Sequence, residues 1–343
     1  MAIIEPEAAL FPDLPVIDSQ HHLVDRVSDA IAPVLGLRRF LIDDYVEYLG
    51  TGHNVVASIA VEGRAMYRAA GPRELRPVGE TEFLNGQAAM AASGLYGPCQ
   101  VGAGIVGHVD FRVGKRVREV LDQHVAAAPQ RFRGARQSAL WDADPSILGD
   151  IFDGGEGLYR QLAFIEGFRH FAPLGFTFDA FVLAPQLADV IDLAHRFPDT
   201  QIVLDHVGQP IGVGAHAGRM GEEYLQWRRD MVALAACENV AVKLGGLGSF
   251  LGGAETFRAD LPATSERLAS DWRPYVEVAI ELFGAHRCMF ESNRPTDDTA
   301  PFGTICNAFK RITAGCSDDE RRDIFAGTAK RIYQLEIQEL PPR

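Results

Sequence analysis

"APQLADVIDLAHRFPDTQIVLDHVGQP", residues 184–210, sets a stretch of helical periodicity (184–197) against a short apolar run, "QIVLDHVG" (201–208), that ends in an acid and a histidine. A helix feeding a strand apolar on both faces is the repeating unit of a covered parallel sheet. Seven further runs of the same kind flank it: "PVID" (15–18), "NVVASIAVE" (54–62), "QVGAGIVGHVD" (100–110), "RFRGARQ" (131–137), "LGFTFDA" (174–180), "NVAVKLGG" (239–246) and "CMFESN" (288–293). Helical stretches at 114–128 and 224–237 lie between them. Eight strands alternating with helices, without a Pro/Ser-rich linker, predict an α/β chain folded as a single (β/α)8 TIM barrel. A chain of 343 residues suits a barrel of about 250 residues plus insertions. The expected layout is an N-terminal extension at 1–14, the barrel at 15–336 and a C-terminal tail at 337–343. Long loops are expected after strands two (63–99) and seven (245–272), and Ser317 before Glu320 marks a capping box for a final helix.

Composition narrows the partners. The formal net charge of −13 makes the chain a poor electrostatic match for nucleic acid or an anionic membrane, so a small molecule is the expected ligand. A homo-oligomer remains open. No apolar run approaches the roughly 20 residues that span a bilayer. The opening "MAIIEPEAALFPDLP" lacks the basic start and apolar stretch of a signal peptide, so the expected location is the cytoplasm. Five cysteines without CxxC spacing suggest reduced thiols rather than a disulfide framework or a zinc ribbon.

In a barrel, the last residues of each strand face the mouth where active sites are built. Here those residues are Gln20 and His22, Glu62 and Arg64, His108 and Asp110, Arg136 and Gln137, Asp179, Asp205 and His206, Lys243, and Glu291 and Asn293. Singly, each has a structural reading: a strand-end histidine as a hydrogen-bonded core group, Asp110 and Asp179 as helix caps, Lys243 as an inward ion pair closing the barrel. Their joint placement on eight otherwise apolar strands points to a functional mouth.

Six segments in register with these strands carry a family resemblance: "VIDSQHHLVD" (16–25), "FRGARQ" (132–137), "IVLDHVGQP" (202–210), "NVAVKLGGLG" (239–248), "MFESNRPTDD" (289–298) and "FAGTAKRIYQL" (325–335). Together they resemble the amidohydrolase superfamily, specifically its amidohydrolase-related branch of TIM-barrel metal-dependent hydrolases, with the sugar lactonases and relatives of pyrone dicarboxylate lactonase. The resemblance implies an Asp-x-His-x-His pattern on strand one. Asp18 sets that register, so Gln20 stands at the first ligand position, His22 at the second, and His21 points away. The resemblance places the acid of the final strand at Asn293, and Gln137 where many relatives carry lysine or histidine. Amides in place of imidazole and carboxylate make a weak cation site, and some lactonases of this branch are thought to work without metal.

The implied activity is therefore that of a lactonase-like hydrolase acting on a small, anionic lactone or related ester or amide carbonyl, without strong metal dependence and without a cofactor. His22 and His206 handle the proton of water, Asn293 positions the water, and Glu62 or Glu291 orients an imidazole or arginine. Arg136 and Arg64 bind the substrate carboxylate or oxyanion, and Gln20, His108, Gln137 and Asp179 complete the substrate-binding set. Were one divalent metal such as zinc to bind, His22 and His206 are the residues left to hold it. The rival readings are a decarboxylase or lactone isomerase on the same scaffold, and a non-catalytic metabolite-binding barrel.

Overall fold

The computed structural model describes residues 7–337 except 30, 31, 33–35, 150, 153 and 258. The tail expected at 337–343 thus lies almost wholly outside the described residues. Among the described residues, besides a short antiparallel pair, Val24–Asp25 with Arg39–Phe40, eight barrel strands run β1 Val16–His21, β2 Val55–Val61, β3 Gln100–His108, β4 Phe132–Arg136, β5 Thr177–Ala180, β6 Ile202–Leu204, β7 Val240–Lys243 and β8 Cys288–Met289, each parallel to its neighbour in chain order. The chain past β8 closes the ring on β1: Ser19 donates its N–H to Phe290 O at 3.1 Å, Asn293 N–H to Gln20 O at 2.9 Å, and His22 N–H to Arg294 O at 2.8 Å. Asp18 welds the same seam by accepting from Ser292 N at 2.7 Å, Ser292 Oγ at 2.6 Å and Tyr45 OH at 2.8 Å.

All eight expected strands are present, and two of them end four residues early. The stretch at 201–208 is a strand only to Leu204; Asp205–Gly208 is a tight turn with His206 and Val207 at φ 57° and 48°. A β-branched residue at positive φ is costly, and the turn is held partly by Trp227, whose indole N–H donates to Val207 O at 2.8 Å. The last strand is two residues long, and "ESN" leaves it as loop. The long connections are also more structured than expected. The first contains helix α1 (Val78–Ala91), and the second stops at Thr264, the cap of helix α2 (Ser265–Phe283). The final helix starts at the Ser317–Glu320 capping box.

Side chains alternate across each strand, and that alternation builds the site. Phe178 points outward into a cluster with Phe111 and Phe168, with ring centroids 5.4 and 5.0 Å away, so the next residue, Asp179, points to the barrel axis. Deeper in the barrel lies an apolar layer that includes Ile17, Ile59, Val106, Val203 and Met289, together with Tyr333 from the C-terminal helix. Above it is a charged layer. Lys243 is fully buried; its ammonium donates to Asp179 Oδ2 at 2.6 Å and Gln20 Oε1 at 2.7 Å and forms an ion pair with Asp205 Oδ1 at 2.9 Å. Burial alone would lower the Lys243 pKa; Asp179, Asp205 and Glu291 reverse this and raise it.

Lys243→Met would leave the buried Asp179 carboxylate without its cation and Asp205 with Arg136 alone, so chemical denaturation should show a loss of about 3–5 kcal/mol. A loss below about 1 kcal/mol, the range of an exposed pair, would show that the ammonium does not hold the barrel interior together.

Candidate active site

From Lys243 the charges alternate across the barrel mouth. Asp205 bridges Lys243 to Arg136, its Oδ2 lying 3.1 Å from Nη1, and Arg136 donates from Nε to Glu62 Oε1 at 2.8 Å and from Nη2 to Glu62 O at 2.6 Å. The row Asp179, Lys243, Asp205, Arg136, Glu62 is thus an alternating chain of buried charges. Glu62 is held below its usual pKa: burial pushes it up, and Arg136, His108 and Arg64 outweigh that. Arg136 commits three of its five N–H groups to these partners, leaving one on each terminal nitrogen.

An ammonium can only donate, so the Gln20 oxygen must face Lys243 and its nitrogen must face the other way. Gln20 Nε2 lies 3.2 Å from His206 Nε2 and donates to Asn293 Oδ1 at 3.3 Å. His206 Nε2 is then the acceptor, and His206 donates from Nδ1 to Glu291 Oε1 at 2.8 Å. Burial lowers the pKa of His206, but Glu291, Asp205 and Asp297 raise it above the ordinary value. His206 is a strengthened base whose lone pair is covered by an amide. Gly246 makes this packing possible: at φ 75°, a Cβ there would fall 2.3 Å from His206 Cβ.

His22 is the counterpart. A carbonyl can only accept, so the 3.0 Å contact between His22 Nδ1 and Val61 O fixes the proton on Nδ1 and leaves the Nε2 lone pair open. Burial, aided by Arg136, lowers its pKa to about 4, so the ring stays neutral at neutral pH.

His22, Glu62, Arg136 and Asn293 share one cavity of about 80 Å³ with Arg64, Ser138, Gln209 and Ser249; its remaining walls include Leu140, Ile151, Phe152, Phe181, Phe250 and Leu251. Arg64 lies over the Phe152 ring at 4.7 Å and donates to Ile151 O. The site is therefore a small, largely apolar chamber with a polar floor.

Five of the residues expected at the mouth line this chamber: His22, Glu62, Arg64, Arg136 and Asn293. The others are placed differently. Gln20, His206 and Glu291 lie behind the floor, linked to it through Asn293 and each at most 1% exposed. Asp179 cannot reach a substrate, since it is fully buried and its Oδ2 is taken by Lys243 and by Tyr333 OH at 2.7 Å. Gln137 spends its amide on the N–H of Phe111 and on Asp110, at 2.9 and 3.1 Å. His108 faces a separate cavity. His21 points away from the mouth, stacking on Tyr45 at 3.9 Å and meeting Ser58 Oγ at 2.9 Å.

Sequence reading missed Asp297. Its Oδ1 accepts from Asn293 Nδ2 at 3.3 Å and its Oδ2 from Gly248 N–H at 3.2 Å, which ties the loop after β7 to the loop after β8. The signal was the pair of acids ending "ESNRPTDD", but nothing in the pattern separates Asp297 from its neighbour Asp298. Burial raises the Asp297 pKa to about 7, with His206 opposing and Glu291 reinforcing.

A divalent cation is poorly matched by this donor set. The lone pair of His206 Nε2 meets the Gln20 amide, the Gln20 oxygen meets an ammonium, and among the described residues no three His, Cys, Asp or Glu side chains gather to hold an ion.

An eight-stranded parallel barrel with imidazole, carboxylate and guanidinium gathered at the carboxyl ends of its strands defines an enzyme-type TIM barrel. The amidohydrolase family model matches residues 17–335, and the chain belongs to that family. It is 32% identical over 337 residues to the uncharacterized protein y4mH of Sinorhizobium fredii, covering 94% of this chain and 99% of that one. It is 29% identical over 165 residues to L-fucono-1,5-lactonase of Burkholderia ambifaria, covering 47% of this chain and 50% of that one. A crystal structure of an amidohydrolase from Burkholderia multivorans with bound zinc superposes with a TM-score of 0.71 at 25% identity, covering 93% of this chain and 99% of that one.

Asp297 keeps its proton up to about 7 in the fold, against an ordinary value of 3.8. The native state therefore binds the extra proton across that window, and its stability falls as pH rises through it. Asp297→Asn removes this dependence, so its melting temperature should gain on wild type from about pH 4 to about pH 7. Parallel melting curves would mean that Asp297 is ionised throughout.

Proposed function

We propose that the chain hydrolyses a small carbonyl compound, a lactone or a related ester, with His22 as the base. The observation that carries this reading is the fixed tautomer of His22, whose Nε2 lone pair has no partner among the described residues while the ring lines the chamber. The partial likeness to a lactonase and the family membership support the same class.

In this reaction water held between His22 Nε2 and Asn293 gives a proton to Nε2 as its oxygen attacks the carbonyl carbon. The tetrahedral oxyanion is met by the unspent N–H groups of Arg136, preorganised by Glu62 and Asp205. Collapse breaks the bond from carbon to the ring oxygen, and the His22 imidazolium returns its proton to that oxygen, yielding a hydroxy acid. Gln20, His206 and Glu291 act as positioning residues, since their hydrogen bonds set the direction of the Asn293 amide. Glu62 and Asp205 compensate Arg136 on two sides, so an anionic group of the substrate is better met by Arg64, which contacts a carbonyl and a ring instead of a carboxylate.

The relative from Burkholderia multivorans holds zinc. Here we infer a reaction without strong metal dependence, supported by the ammonium and the amide N–H directed at the positions a cation would need. Metal analysis of the purified protein should find well under one divalent ion per chain, with turnover on a lactone panel insensitive to chelator. Stoichiometric zinc, lost together with activity, would contradict this.

His22→Gln should lower kcat by roughly 10²–10⁴, the usual scale for a general base, with little change in melting temperature. Wild type should keep its base form as pH falls toward about 4. Unchanged turnover in the variant would remove His22 from the mechanism.

A further inference from the structure

A second cavity, of about 350 Å³, lies beside the apolar chamber, and Arg64 lines both. It is formed by the turn after β2 and the end of β3, and Arg64, Arg73, Arg76 and Arg112 line it together with Tyr67 and His108. Its two acidic lining residues are already engaged. Asp110 accepts from Arg112 at 2.8 and 3.0 Å, and Glu74 pairs with Arg116, which is not part of the lining. Arg76 donates to Gly71 O at 3.3 Å and Arg64 to Ile151 O, and neither is paired with a carboxylate among the described residues. A backbone carbonyl satisfies an N–H but does not neutralise a guanidinium; Glu62 acts on Arg64 through space, without an ion pair. Four arginines against two carboxylates leave the lining of this cavity cationic in a chain of net charge −13.

The backbone is built to keep Arg64 at this junction. Arg64 and Met66 stand at φ 59° and 54°, a region that non-glycine residues enter only at a cost. Glu80 of α1 holds the turn by accepting with one buried oxygen from Gly63 N–H at 2.8 Å and Ala65 N–H at 2.9 Å. Strain maintained by a dedicated clamp is spent on a side chain facing two cavities.

We propose that this second cavity is an anion site for a carboxylate or phosphate group. The planar, two-pronged guanidinium suits either anion. Two sources share that chemistry: the acidic end of a substrate whose carbonyl lies in the apolar chamber across Arg64, or a separate anionic effector. The substrate source rests on the hydrolytic reading of the floor; the anion site itself does not.

Calorimetric titration of the full chain with inorganic phosphate, with chloride holding ionic strength constant, tests the site directly. Wild type should bind saturably in the millimolar range or tighter. Arg76→Gln alters an exposed residue outside the apolar chamber, so it should melt like wild type and bind phosphate about tenfold more weakly. Arg76→Lys should recover part of the loss. An absence of saturable binding in wild type, or equal affinity in Arg76→Gln, would overturn the proposal. With a lactone panel, phosphate competing only with acidic lactones identifies the site as the seat of the substrate's acid, whereas a change in turnover of neutral lactones identifies an effector. Calorimetry needs no turnover, so an enzyme that opened no lactone would refute the hydrolytic reading and leave the phosphate result standing.

Discussion

The Lys243 ammonium orders the interior of this barrel. A buried ammonium needs partners, and here they come from three parts of the barrel: Gln20 of β1 and Asp179 of β5 accept its hydrogen bonds, and Asp205 just past β6 pairs with its charge. Each contact has a consequence. Holding Asp179 brings in Tyr333, which caps the apolar layer below. Holding Asp205 fixes one side of Arg136, and Glu62 fixes the other. Holding the Gln20 oxygen turns the Gln20 nitrogen toward His206 and Asn293, so the direction of every hydrogen bond behind the floor follows from one group that cannot accept.

The same arrangement separates the two imidazoles. His206 is paired with Glu291 and has its remaining nitrogen covered by an amide; His22 gives its proton to a backbone carbonyl and keeps its other nitrogen toward the chamber. Their pKa values move in opposite directions for physical reasons, a carboxylate partner in one case and burial beside Arg136 in the other. A buried chain of alternating charges is a costly way to fill a barrel compared with apolar side chains. Its return is a rigid floor: Arg136 is held from two sides by Glu62 and Asp205, and Asn293 is clamped between Gln20 and Asp297.

The barrel was legible because each strand is a separate apolar run, and period-two alternation then places Asp179, Lys243 and Arg136 at the axis without further information. What a linear pattern could not convey was how far each side chain reaches. Asp179 and Gln137 lie beside the ends of their strands much as Arg136 does, yet one is consumed by Lys243 and the other by the backbone of Phe111. His206 looked like a strand-end residue, but the chain leaves the sheet at Leu204 and a left-handed turn puts the ring behind the floor. Asp297 entered the site through a loop whose path depends on Gly248, a contact between segments 49 residues apart. The departures at Gln20 and Asn293 were visible in the sequence; the ammonium that gives them direction was visible too, but only the fold shows that its partners are Asp179, Asp205 and Gln20.

Nitrogen-15 NMR of protein labelled at histidine reads the central claim directly, because protonated, unprotonated and cation-bound imidazole nitrogens have distinct shifts. At neutral pH, His22 should show a protonated Nδ1 and an unprotonated Nε2, titrate only near pH 4, and keep both signals when zinc is added. An imidazolium at neutral pH, a proton on Nε2, or an Nε2 signal that moves with zinc would contradict a neutral base held open to the chamber by Val61.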